Sequence, residues 1–158
     1  MDVTATVAAP GDPELIAWDA RIGGRPRPQD HDYWQRGVGA TPLWFERAGA
    51  KCGYGYVWQR APDESQPATA GIGPLGALSA DDATACAGAA VRWAHETGTA
   101  ASQMIYVAVA GRHGALSSLL QAGFRIREVE TFCCSRPPTF LEVRTYLVAS
   151  APEGSSLF

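Results

Sequence analysis

The stretch "GPLGALSADDATACAGAAVRW", Gly73 to Trp93, decides the fold, because it turns a strand directly into a helix. Pro74 cannot donate to a strand ladder, so its strand carries a bulge or a local gap in pairing. Ser79 with Asp82 three residues on matches a capping box, and Cys86, Ala89, Ala90, Trp93 and Ala94 keep helical spacing. A helix that begins at a strand end is a ready anion site, because its first amide N–H groups lack partners. Here, however, the first turn carries Asp81 and Asp82. Their carboxylates repel anionic oxygens and compete for the same amides, so the protein itself closes the place a phosphate-bearing ligand would take.

Upstream of this turn, "VTATVAA" alternates weakly and predicts a first strand over Val3 to Ala8. Asp12-Pro13 is an N-cap acceptor followed by proline at the first helical position, and Gly23-Gly24 stops the helix. Its apolar stripe is Leu15, Ile16, Trp18 and Ile22. "RPRPQDHDYWQRGVGATP" is irregular apart from a helical turn around Asp32 to Arg36, and Arg25, Arg27 and Arg36 read as solvated or as contacts to an acidic partner. A hairpin, "PLWFERAGAKCGYGYVWQR", turns at Ala48-Gly49-Ala50. Alternation puts Cys52, Tyr54, Tyr56 and Trp58 on one face and Gly53 and Gly55 on the other, where something approaches the backbone closely.

Downstream, Gly98 ends the central helix, and "MIYVAVA", Met104 to Ala110, is apolar on both faces and reads as a central strand. A helix over Ala115 to Ala122 buries Leu116, Leu119 and Leu120 and stops at Gly123. "RIREVETFCC" and "TYLVAS" read as two more strands. The order predicts one α/β domain, a mixed and mostly antiparallel central sheet with helices on both faces, over residues 1–152, with a tail at 153–158.

Composition narrows the function classes. The 158 residues are 46% hydrophobic and 18% charged, which fits a folded domain with a real core. A net charge of −3 argues against a dedicated nucleic-acid binder, which needs a basic face. No run approaches the ~18 apolar residues of a membrane helix, and the N-terminus lacks the pattern of a signal peptide. A cytoplasmic protein is expected, and the preference for Arg over Lys with high Ala and Gly content points to a bacterial source. Cys52, Cys86, Cys133 and Cys134 have no metal-ligand spacing and the histidines are scattered, so buried free thiols and no metal are expected.

The element order, with "GALSSLLQAGFRI" and its Gly123-Phe124 helix exit, resembles the GNAT superfamily of N-acetyltransferases. Ala115, eight residues before Gly123, also matches a small residue common there. The resemblance runs over nearly the whole chain in element order, on motifs that are short. It implies an N-acyltransferase that takes acetyl-CoA or another acyl-CoA in a V-shaped opening between splayed fourth and fifth strands, here Gly71–Leu78 and Met104–Ala110. Leu75, Ala77 and Leu78 are then the backbone contacts of the pantetheine arm, and Arg112 an anion contact. Two departures accompany it. The usual Q/R-x-x-G-x-G/A loop is replaced by "LSADDATACAG", and Leu119 stands where a general-acid tyrosine is common. The sequence therefore points to weak or lost use of acyl-CoA.

Two other features carry chemistry. His31 and Asp32, beside Asp30, form a dense titratable cluster from which a general base could come, or a solvated loop. Trp44, Tyr54, Tyr56, Trp58 and Tyr106 form an aromatic stripe whose polar handles need partners; it lines a ligand pocket or packs the helices. Beside the acyltransferase stand a non-catalytic ligand-binding or tandem-partner module and a fold repurposed for other small-molecule chemistry. The expected partners are a small molecule and a second copy or a partner GNAT domain, not nucleic acid or membrane.

Overall fold

The computed structural model describes residues 2–98, 103–129 and 144–148. The expected tail at 153–158, Cys133, Cys134 and the second half of the expected strand at 125–134 lie outside the described residues. The order is β1 (Val3–Val7), α1 (Pro13–Gly23), α2 (Pro28–Asp32), a π-helical turn (Tyr33–Gly37), β2 (Thr41–Arg47), β3 (Ala50–Arg60), β4 (Ala68–Ala77), α3 (Ala80–Thr97), β5 (Gln103–Val107), α4 (Ala115–Gln121) and β6 (Tyr146–Leu147).

These elements build a six-stranded sheet in the order β1-β2-β3-β4-β5, with β6 also on β4. All pairings are antiparallel except β4 with β5. β4 and β5 pair from Ala68–Gln103 to Ile72–Val107 and then part, while β4 continues to Ala77. That is the expected splay. Gly73 and Pro74, joined by a cis peptide, interrupt the register between β3 and β4, as the missing donor of Pro74 requires.

The helices cover both faces. On one, α3 and α4 bury Cys86, Ala90 and Leu119 against Phe45, Val57, Ile72 and Leu75. On the other, Leu15 of α1 and Trp34 of the π-helical turn pack on Trp44, Tyr54, Tyr56 and Trp58. Asp12 couples the two layers there: one carboxylate oxygen accepts the Glu14 amide at 2.9 Å and the other the Trp44 indole N–H at 3.0 Å.

Three local expectations are corrected. A bulge between Phe45–Gly53 and Glu46–Lys51 moves Cys52 off the tyrosine face, so its sulfur lies 3.9 Å from that of Cys86 on the α3 side. The same sulfur of Cys86 and the Gly76 carbonyl press on Gly53, and Phe45 and Leu75 press on Gly55, which explains those two glycines. Leu120 is 43% exposed, because the short α4 turns Ala115 and Leu119 inward instead. Residues 125–129 form no strand, and β5 pairs with β4 alone among the described residues.

The β2–β3 turn places Ala48 at φ 53 and Gly49 at φ 78. A side chain other than Asn or Gly is strained there. Ala48→Asn is expected to stabilise the protein by about 0.5–1 kcal/mol, read as a shift in the denaturation midpoint at unchanged slope.

Candidate functional site

The sheet face under α1 and α2 gathers a cluster of buried polar side chains around one carboxylate, Asp19. α1 turns Leu15, Asp19 and Gly23 inward at four-residue spacing, and Asp19 is only 1% exposed. Burial alone would raise its carboxyl, but hydrogen bonds from His31, Arg27 and Tyr54 outweigh it and hold Asp19 below the ordinary aspartate value. Arg27 Nε donates to Oδ2 at 3.1 Å and Arg27 Nη2 to Oδ1 at 2.5 Å. The Tyr54 hydroxyl donates to Oδ1. Gly76, opposite Tyr54 in the register, leaves room for that ring to reach across β4.

His31 extends the cluster. Its Nε2 lies 3.0 Å from Asp19 Oδ2 and its Nδ1 2.7 Å from the Tyr56 hydroxyl. Gln35 Nε2 donates to the same hydroxyl at 3.2 Å, and Gln35 Oε1 accepts the Gly11 amide at 2.8 Å. With Gln35 as donor, Tyr56 gives its proton to Nδ1, and Nε2–H points to Asp19. Every member is satisfied, and Tyr54 and Tyr56 are wholly buried, so burial keeps both hydroxyls above the ordinary tyrosine value. The arrangement is an Asp–His–Tyr relay built into the core. It fixes α1, α2 and the sheet in one geometry.

The predicted candidates separate on this frame. His31, Trp44, Tyr54, Tyr56 and Trp58 come together on one face, with the four aromatic residues packed beneath helices rather than around an opening. Asp32 is not part of the cluster: its carboxylate is 58% exposed and accepts from Arg36 Nε at 2.9 Å. Arg27 is not a solvated arginine but the main partner of Asp19. Tyr106, on β5, is half-buried and bonded by Arg127, apart from the aromatic cluster. Asp19 and Tyr146 escaped sequence reading. A carboxylate four residues after Leu15, on the apolar stripe of α1, is the signal that could have found Asp19.

The predicted cofactor contacts meet a different fate. Beyond Ile72, the β4 edge that β5 leaves open is covered by the chain itself. Leu147 pairs with Leu75, Tyr146 with Gly76, and the Ala77 amide donates to the Thr145 carbonyl at 3.0 Å. Leu75 and Ala77 are thereby buried, while Leu78 is 44% exposed and Arg112 is exposed in the turn before α4. At the start of α3, the Asp82 amide donates to Ser79 Oγ at 3.1 Å, and the Asp82 carboxylate accepts from Arg47 at 3.0 Å. Leu119, at the usual acid position, is buried in the α3 core. With β6 in place, the positions that the resemblance implies for an acyl-CoA do not fit one: the Ala77 amide is already bonded, the helix start bears a paired carboxylate, and Leu119 is hydrocarbon.

Elsewhere, a cavity of about 380 Å3 opens between Arg47, Asp81, Gly88, Arg92 and Ser118, and one of about 350 Å3 beside His95, Gln103 and Phe124. Neither touches the Asp19 network. His113, buried before α4, accepts the Ala115 amide at Nδ1 (3.0 Å), and burial pushes its value below the ordinary histidine range. No group of three or more His, Cys, Asp or Glu side chains among the described residues could hold a metal. No helix among them is long and apolar enough to cross a membrane.

No family model matches the chain, and no curated protein is similar to it in sequence. Solved structures do match it. A ribosomal-protein-alanine N-acetyltransferase from Brucella melitensis biovar Abortus 2308 superposes with a TM-score of 0.59 at 11% identity, covering 84% of this chain and 98% of that one. An aminoglycoside 6'-N-acetyltransferase from Acinetobacter baumannii gives 0.57 at 8% identity, covering 85% and 99%. An aminoglycoside acetyltransferase from an uncultured soil metagenomic sample gives 0.54 at 16% identity, covering 87% and 100%. With the splayed fourth and fifth strands, these matches identify the architecture: the chain has the fold of the GNAT superfamily of N-acetyltransferases.

Proposed function

We propose that this chain is a GNAT-type N-acyltransferase whose use of acyl-CoA is weak or lost, acting in the cytoplasm on a small-molecule amine. The observation that carries the reading is the occupation of the β4 edge by residues 145–147, where the resemblance lays the pantetheine arm. The Asp82–Arg47 pair at the start of α3 and the hydrocarbon of Leu119 support it from two further sides. The small-molecule acceptor rests on the two aminoglycoside acetyltransferases among the similar folds.

Calorimetric titration of the full chain with acetyl-CoA and with CoA tests the proposal. No saturation below millimolar ligand is expected, and micromolar binding of either would overturn it. A non-catalytic tandem-partner module is the second reading, favoured by Leu119, which has no proton to give a leaving thiolate. A partner domain that co-purifies with the chain, carries an intact Q-x-x-G-x-G loop and alone binds acetyl-CoA would select it.

A further inference from the structure

Tyr146 joins the β4 edge to the Asp19 network. Its backbone lies in β6 opposite Gly76, on the β4 edge. Its hydroxyl accepts from Arg27 Nη2 at 2.7 Å, and the Arg27 guanidinium lies over its ring at 5.3 Å from the centroid. Arg27 is itself held by two bonds to Asp19. β6 is only two residues long, so its own ladder contributes few bonds, and a side-chain tie to the α1–α2 layer adds to its attachment.

We propose that Arg144–Val148 is an autoinhibitory strap, pinned by the Tyr146–Arg27–Asp19 tie, that occupies the β4 slot in competition with the pantetheine arm of an acyl thioester. A buried amide must be paired, and the Ala77 N–H has room for one acceptor at a time: the Thr145 carbonyl now, or an amide carbonyl of an extended ligand when the strap is displaced. Leu147 is wholly buried beside Leu75, while Val148 is 47% exposed, so the apolar hold of the strap is confined to one side chain beside Tyr146. Any ligand that needs this edge must bind the strap-open state, and its apparent affinity falls by the fraction of molecules that are open. This rests on the reading that the thioester arm lies along β4.

Amide hydrogen exchange on the full-length wild type and Tyr146→Phe tests the strap. Local opening is expected to exchange Ala77 at least tenfold faster than amides bonded between β3 and β4, and Tyr146→Phe to accelerate Ala77 several-fold further while leaving those amides unchanged. Equal protection of Ala77 and the β3–β4 amides would show β6 to be an integral strand and overturn the proposal. Titration of Tyr146→Phe with acetyl-CoA and S-acetylpantetheine completes the test, the second compound lacking the diphosphate and nucleoside. A several-fold gain over wild type for both supports competition at β4, and a gain for neither, with Ala77 accelerated, overturns it. Micromolar acetyl-CoA binding by the wild type would instead overturn weak cofactor use, with the exchange result standing on its own.

Discussion

Asp19→Ala is expected to destabilise the protein by about 3–5 kcal/mol, because it removes one partner of a buried ion pair and strands the other groups. Arg27 loses the acceptor of two hydrogen bonds, and His31 and Tyr54 lose theirs in a site closed to water. Marginal stability makes this a large fraction of the total, a fall of roughly 10 °C in the midpoint. Asp19→Asn keeps the shape but leaves Arg27 without its counter-charge, and it separates charge from volume. The sign of the pH effect follows from the lowered carboxyl. The wild type holds the Asp19 contribution in full above the unfolded aspartate value of 3.8 and loses it as pH falls through the lower folded value. Asp19→Asn is therefore expected to unfold with a flatter acid limb in that window. Chemical denaturation across pH checks both statements, and a loss below about 1 kcal/mol for Asp19→Ala at neutral pH would contradict the network's role.

Gly71→Ala is the second substitution with a large expected cost. An ideal Cβ at Gly71 would sit 2.2–2.4 Å from atoms of the Trp58 indole, which lies across β4 at the opposing register position. Trp58 is 5% exposed and packed in the α1–α2 core, so the ring has nowhere to retreat. Overpacking of this kind costs about 3 kcal/mol. Removing the ring should relieve the clash: in a double-mutant cycle, Trp58→Leu and Gly71→Ala are expected to cost less together than the sum of the two alone, by about 1–3 kcal/mol. Additive losses would show that Gly71 serves the backbone rather than the indole.

What could be read from the sequence was local. Asp12-Pro13 and Gly23-Gly24 bracket α1, Ser79 and Asp82 start α3, and Gly123 at φ 95 stops the turn after α4. The splay of β4 from β5 was foreshadowed by Pro74 and the resemblance that places it. What escaped was tertiary. Adjacency in sequence pairs His31 with Asp32, yet α2 turns the ring toward Asp19, twelve residues earlier, and Asp32 toward solvent. The bulge that sends Cys52 to Cys86 depends on how β2 and β3 align, which alternation along one strand does not encode. Likewise, "TYLVAS" reads as a strand without a partner, and its place on β4 follows from where β5 departs.

The most direct measurement is a cross-strand nuclear Overhauser effect between the Hα atoms of Gly76 and Tyr146 in the full chain. With the Ala77 amide bonded to Thr145, Gly76 and Tyr146 form a non-hydrogen-bonded antiparallel pair, whose Cα atoms stand about 4.5 Å apart and whose Hα atoms face each other. A strong Hα–Hα effect that weakens when an acyl thioester binds is the expected result. Its absence, together with saturable shifts at Leu75–Ala77 on adding micromolar acetyl-CoA, would contradict a slot filled by the protein's own strand.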